Sequence, residues 1–458
     1  MRANDRGSAS RRELLRAVAV GAVGAAATGV ASGAEHDRTY ALGWEHVAGG
    51  DGDDVATDAI PTPDGGFLAV GATGSYGAGT ADAWAVKVDA DGTRQWDRRT
   101  YAGPDDDRTA AVAAAPGGGY LLTGSTTSFG DGTRAVWVGR TDTEGRLLED
   151  RTLGAGTDNR ASAIVTDGSG YAVAYTAGGD GDRTARLARF DREDSLQWDR
   201  AFDSDPRETV TDARRTDTGY VVVGTSRASG EDRPTGWVRV TDSGGTTLWT
   251  RRIGGDQTDR VHAVATRDGG GYLSVGDSDP FGTRRPWLTA VAADGTVDWT
   301  TLLDGVSARG AVSLSEGYLV LRTADDGTAV LDRVDETGAS RSTQRVAGTD
   351  AVDAAAFGPT ERGYLVAGRL TDGADQLWMG ELTSGRFEGA AGPPASLDDD
   401  PLYEDIDGDG DGDLFDALTY YDERDSDRVE SNPRRYDFDG DGDAGDLFDT
   451  LALFEKVS

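Results

Sequence analysis

The chemistry most legible in this sequence lies near its carboxyl end. Asp405, Asp407, Asp409, Gly410, Asp411, Asp413 and Asp416 occupy relative positions 1, 3, 5, 6, 7, 9 and 12 of one short stretch. A hard cation takes six to eight oxygen ligands, and alternate carboxylates on a loop bent sharply at a glycine supply them. A second stretch repeats the pattern: Asp437, Asp439, Asp441, Gly442 and Asp443, then Asp446 and Asp449, with one residue more before the closing acid. That insertion leaves open which terminal acids complete the second loop. From Asp398 to the end the chain holds 22 acids and five bases, a net of −17 in 61 residues, and so dense a charge demands cations.

The spacing of the first stretch is that of an EF-hand calcium loop. Each loop runs into an amphipathic helix, with Leu414, Phe415, Leu418 and Tyr421 on one and Leu447, Phe448, Leu451 and Phe454 on the other. Two calcium-loop-helix units in tandem resemble the dockerin module, over about Pro401 to Val457. The resemblance implies calcium as the ion, Asp405, Asp407, Asp409, Asp413 and Asp416 as side-chain ligands, and the Asp411 carbonyl as another. It also implies a cohesin-like or other surface protein as partner. After the ninth loop residue both repeats place Leu-Phe (Leu414-Phe415, Leu447-Phe448), where cellulosomal dockerins commonly have small hydroxyl residues. This apolar face either forms a small core shared by the helices or presents a docking patch.

The elements that must carry this module lie upstream. Residues 385–399, with Gly392, Pro393, Pro394 and Ser396, read as a flexible linker to a module over 400–458. Between 35 and 384 a Gly-aromatic-apolar signature recurs at Phe67, Tyr120, Tyr171, Tyr220, Tyr272, Tyr318 and Tyr364, with spacings of 53, 51, 49, 52, 46 and 46. A period near fifty with several short strand patterns per unit means propeller blades. Third strands are expected around Trp84, Trp137, Leu187, Trp237, Trp287, Val330 and Trp378, but only six outer strands follow, near Trp96, Leu148, Trp198, Trp249, Trp299 and Gln344. The missing one lies at the start, where Trp44 precedes Gly49-Gly50 as Trp249 precedes Gly254-Gly255. The expected fold is therefore all-β, a seven-bladed β-propeller closed by its N-terminal strand, with a small α-helical C-terminal module.

An aromatic that returns at one blade position fills space between blades. Acids that open first strands, such as Asp54, Asp107, Asp158 and Asp259, are expected to hold turns. A glycan or protein ligand would meet the non-repeating loops Gly74 to Asp82, Ser125 to Arg134, Ser226 to Thr235 and Asp277 to Arg285. The unit resembles secreted propeller repeats of the Gly-Gly-Tyr-Leu type, which implies fold and export. Its Asp-x-x-Gly-x-x-x-Trp pattern, as at Asp242, Gly245 and Trp249, is also similar to the tryptophan-docking motif of quinoprotein dehydrogenases. Seven units instead of eight, and no adjacent cysteines, depart from that family and argue against a quinone.

Composition sets the address. The 458 residues carry Asp+Glu 81 against Lys+Arg 46, a net charge of −35, and Lys87 and Lys456 are the two lysines. Such a balance resembles the proteome of an extreme halophile, where molar salt shrinks the Debye length to about 3 Å and hydrated carboxylates keep the surface soluble. A polyanion would be repelled, so nucleic acid is not an expected partner. Ser10, Arg11, Arg12, Glu13, Leu14 and Leu15 match a twin-arginine signal, and residues 1–34 read as a signal peptide removed near Ala34. Its apolar stretch, Ala17 to Val30, is 14 residues, short of the roughly 20 that span a bilayer. No transmembrane segment is expected in the mature chain, which is placed outside the cell or on its surface. With no cysteine and three histidines (His36, His46, His262), no thiol nucleophile or histidine triad can be assembled. The expected role is non-catalytic binding. The enzymatic rival is a glycoside hydrolase or polysaccharide lyase, whose sign would be a closely spaced, buried acid pair in a deep pocket.

Overall fold

The structure, a computed structural model, describes residues 40–383 except 100, 102, 130–131, 155–156, 180–181, 203–206, 228–232, 256, 268–269, 347–351 and 372. Beyond 383 it describes 402, 406, 414–424, 429, 436–439 and 444–457, so the twin-arginine stretch and the linker lie outside the described residues. The described strands form seven antiparallel sheets of four. Blade 1 is Asp54–Pro61, Phe67–Thr73, Asp82–Val88 and Arg94–Arg99, and blades 2 to 6 begin at Asp107, Asn159, Glu208, Thr258 and Ser307. Blade 7 consists of Val352–Pro359, Gly363–Leu370 and Gln376–Thr383, completed by Ala41–Ala48. The first strands of neighbouring blades touch all the way round, blade 7 against blade 1 included. This is the expected seven-bladed propeller.

Closure comes from an outer strand that arrives from the other end of the chain. Ala41–Ala48 runs antiparallel to Gln376–Thr383, with Val47 opposite Trp378, and so covers an edge that would otherwise expose a row of backbone donors and acceptors. Two reciprocal side-chain bonds lock it. The Trp44 indole donates to Glu381 (3.2 Å) and the Trp378 indole to Glu45 (2.8 Å).

Within blades, a tryptophan on the third strand stands opposite a glycine on the second: Trp84 with Gly71, Trp137 with Gly124, Trp237 with Gly224, Trp287 with Gly276, Trp378 with Gly368. A Cβ on Gly224 would come within 2.6 Å of the Trp237 ring, so the small residue makes room for the large one. In blade 3 the pair is Tyr175 and Arg186, where the guanidinium donates to the tyrosine hydroxyl and to Asp199.

Between blades, the outer-strand tryptophan of one sheet covers the turn glycine of the next. Trp44 lies on Gly92, Trp96 on Gly145, Trp198 on Gly245, Trp249 on Gly295 and Trp299 on Gly338. These glycines have φ from +71° to +86°, which closes the turn, Asp-x-x-Gly in four blades and Ala292-x-x-Gly295 in the other, and leaves a flat backbone under the indole. The same indoles meet the recurring second-strand aromatics: Trp44 packs on Phe67, Trp198 on Tyr220, Trp249 on Tyr272 and Trp299 on Tyr318. The repeated aromatics are between-blade filling.

The outer strands expected near Leu148 and Gln344 are Leu147–Leu153 and Ser340–Arg345, and strand pairing puts Glu149 and Ser342 at the position that tryptophan takes in the other blades. Lacking that indole, the seam between blades 2 and 3 has Asp194 in place of the turn glycine, at φ +61°, and Arg140 clamps its carboxylate with two bonds of 2.7 Å. An ion pair replaces a stacking contact.

Candidate functional site

Two helices, α1 (Leu414–Glu423) and α2 (Leu447–Val457), pack together in the C-terminal part. Their core is Ile406, Ala417, Tyr420, Val429, Tyr436 and Leu453, all buried. Tyr420 stacks on Tyr436, donates its hydroxyl proton to the Tyr436 carbonyl (2.8 Å) and accepts from the Gly445 amide (3.0 Å). A polar tip is thereby satisfied inside a very small core.

The loop acids are tied in the same way in both repeats. The amide of Ile406, second residue of the first loop, donates to Asp416 (2.6 Å), and the amide of Phe438, second residue of the next, donates to Asp449 (2.7 Å). Asp449 also accepts from Gly445 (2.9 Å) and Asp446 (3.2 Å). Burial pushes its carboxyl up, against the pull of those amides. Asp437, Asp439 and Asp449 each offer one oxygen, all within 4.8 Å of one another. Oxygens that share one hard cation at 2.3 to 2.6 Å can stand no more than about 5 Å apart, so these three are close enough to meet at a single metal ion. Asp446, the other open terminal acid, faces the helix instead and accepts from the amides of Phe448 (2.6 Å) and Asp449 (3.0 Å) as an N-cap. Asp405, Asp407, Asp409, Asp411, Asp413, Asp441 and Asp443 lie outside the described residues.

The helix faces are the main surprise. Hydrophobic periodicity points to Leu418, Tyr421, Phe448, Leu451 and Phe454, yet these are 42 to 63% exposed. The side chains of Leu414, Phe415 and Leu447 lie outside the described part. The buried face is instead Asp416, Ala417 and Tyr420 on α1, and Asp449, Thr450 and Leu453 on α2. The physical reason is the anchoring of Asp416 and Asp449 to their own loops. Each helix must turn that acid inward, which brings the residue four further on inward with it. At 100° per residue, Leu418 and Leu451 then fall about 200° away, facing outward. A shared core built from the Leu-Phe stripe is excluded for these described positions.

In the propeller the first-strand residues hold turns, as expected. Asp54 accepts from Gly50 (2.9 Å), Ser75 and Thr73, Asp107 from Ser128 (2.8 Å), and Asp259 from Gly255 (2.8 Å). In blade 3, however, Asn159 fills this place, and Asp158 pairs with Arg134 and Arg160. His262 is not alone: its Nε2 meets buried Asp277, which Arg260 (3.4 Å) and Arg284 (3.5 Å) also approach. Burial pushes the Asp277 carboxyl up, but His262, Arg284 and Arg260 outweigh it and hold the group low. No signal in the linear pattern announced this cluster, because Asp277 meets His262 only across a hairpin.

Two further acids sit on first strands just past a β-bulge, Asp58 in blade 1 and Asp212 in blade 4. Each reaches to the next blade, Asp58 accepting from the Val112 amide (2.9 Å) and Asp212 from the Val264 amide (3.0 Å). Burial, with a smaller contribution from Asp212, raises Asp58 to about 6. Each carboxylate accepts from an amide of the next blade and so staples two blades together. The segments from Gly74, Ser125, Ser226 and Asp277 all join second to third strands, so strand order places them on one face. There Arg233, Gln257, Thr258, Asp279 and Gly282 line a polar recess.

No family profile and no curated protein matches the chain. Among solved structures it is similar to a protein of unknown function from Bacteroides caccae, at TM-score 0.39 and 14% identity over 57% of this chain and 89% of that one. It is also similar to Sqt1 from Chaetomium thermophilum, at TM-score 0.43 and 14% identity over 73% and 82% of the two chains. Neither likeness speaks to activity, ligand or partner.

Proposed function

We propose that the chain is an exported, non-catalytic binding and scaffold protein of haloarchaeal type. In this reading the propeller of Gly-Gly-Tyr-Leu repeats is a rigid disc for a glycan or protein ligand. The dockerin-like tail attaches it, with calcium, to a cohesin-like surface protein. One observation carries the reading: a cluster of three carboxylates close enough to meet at one metal ion sits beside an uncovered apolar face, Leu418, Tyr421, Phe448, Leu451 and Phe454. The two are coupled mechanically. Calcium would order the loops, the loops hold Asp416 and Asp449, and those acids set the rotation that keeps the apolar residues outward. Several large apolar side chains facing water on so small a module mark an interaction surface.

The test is capture of solubilised cell-surface proteins on the immobilised full chain, in calcium and in chelator. A partner should be retained in calcium, released by chelator, and retained at least 10-fold less by the F448D/L451D variant, as expected when central anchors are lost. Retention that ignores chelator, or survives both substitutions, defeats this reading.

A further inference from the structure

The seams between blades share a backbone contact that sorts their side chains. The amide of each turn-holding residue donates to a carbonyl of the preceding blade: Asp54 to Asp375, Asp107 to Ala81, Asn159 to Arg134, Glu208 to Arg183 and Asp259 to Pro234. The residue after each carbonyl is therefore brought beside the turn-holder. At four of these seams it is uncharged, namely Gln376, Ala135, Thr184 and Thr235. Between blades 1 and 2 it is Asp82, so one carboxylate is set against another.

Asp82 is fully buried and neither of its oxygens has a hydrogen-bond partner. Asp107 is 1% exposed; Ser128 occupies its Oδ2 at 2.8 Å, while Oδ1 has no partner. Burial pushes the Asp107 carboxyl up against the Thr126 and Ser128 hydroxyls, which favour its charged form, and Asp82 adds a smaller upward push, so the two acids feel each other. The loop closes over them: Gly77, at φ +105°, lies so near that a Cβ there would collide with the Asp82 carboxylate. Among the described residues no arginine, lysine or histidine forms an ion pair with either acid. Two carboxylates buried without a counter-charge are costly unless something neutralises them. Two unclaimed Asp82 oxygens beside a second carboxylate, with no sulfur or histidine against them among the described residues, suit a hard cation.

We infer that the seam between blades 1 and 2 is a calcium site, with Asp82 and Asp107 as its acidic ligands and the Gly77 backbone as its lid. It is independent of the proposed tail sites and clamps the ring near the strand that follows the closure.

Terbium, a luminescent stand-in for calcium, tests this on the full chain. All ten tryptophans lie in the propeller and none beyond Trp378, and D449N, altered in the tail, controls for terbium bound there. Trp84 lies two residues from Asp82 on the same strand and serves as the antenna. Wild-type protein should give this emission, calcium should quench it, and D82N should lower it at least 10-fold. D82N should also abolish the calcium-induced rise in the melting temperature of the β-sheet signal, while D449N, altered in the tail, keeps it. In chelator D82N should melt above wild type, because the substitution removes a buried charge. Absence of tryptophan-excited emission in wild type overturns the inference even if D82N fails to fold. So does a D82N that melts higher with and without calcium by the same amount, the mark of an acid pair that merely shares a proton.

Discussion

Both halves of the molecule are built by repetition, yet repeated aromatics end up inside one and outside the other. In the propeller every outer tryptophan has a next blade to lie on, and the closing strand gives the last blade a neighbour too. In the tail the two described helices pack on each other by one face each, and the opposite face, with Leu418, Tyr421, Phe448, Leu451 and Phe454, meets solvent. Repetition alone does not decide burial. What decides it is whether the array continues, which a closed ring guarantees and a pair of units cannot.

The comparison breaks most severely at the closure. Trp44 is buried and is the indole that the first blade receives from the last. Trp44→Ala should cost about 3–5 kcal/mol in chemical denaturation, as for other large aromatic truncations in a core. A loss below about 1 kcal/mol would mean the ring holds without its clasp.

Next comes a pH-dependent effect. Asp58 titrates near 6 in the folded chain against about 4 unfolded, so between those values the folded state holds more proton and stability falls as pH rises. Relative to wild type, Asp58→Asn should therefore gain about 2–3 kcal/mol from pH 4 to pH 7, in denaturant titrations at each pH. A pH-independent difference would show that Asp58 is not enclosed.

A smaller effect probes the one seam where an ion pair stands in for the indole. Arg140→Ala removes the two-bond clamp from a mostly buried Asp194, leaving it the Tyr171 hydroxyl and the more distant charge of Arg151, and should cost about 2 kcal/mol. Adding Glu149→Trp and Asp194→Gly rebuilds the arrangement of the other seams and should recover more than half of that loss. Failure to recover would mean that the tryptophan seams owe little to the indole.

These features differ in how far they can be read from residues alone. The seven blades and the closing strand are legible because strands can be counted and one outer strand is left over. Glu149 stands seven positions after Asp142 as Trp249 stands seven after Asp242, so the place of the missing indole is written in the spacing of the turn. The outward helix faces are invisible to periodicity, which ranks faces by apolarity and knows nothing of Asp416 and Asp449 being held by loop amides. The meeting of Asp82 with Asp107 needs the backbone contact between blades, which no spacing encodes.

The smallest expected effect is the most pointed. Phe448 and Leu451 are 63% and 50% exposed, so F448D/L451D should leave stability within about 0.5 kcal/mol of wild type. Tyr420→Ala, one face round on α1, removes a buried ring with two hydroxyl contacts and should melt the helices outright, read as loss of helical circular dichroism in calcium. If instead the exposed pair proves costly, those residues are covered within the full chain and the two regions follow one rule. If they are silent in stability but decisive in capture, then the face left open by a short array is kept for a partner, and the same kind of side chain that seals the ring serves the tail by remaining unsealed.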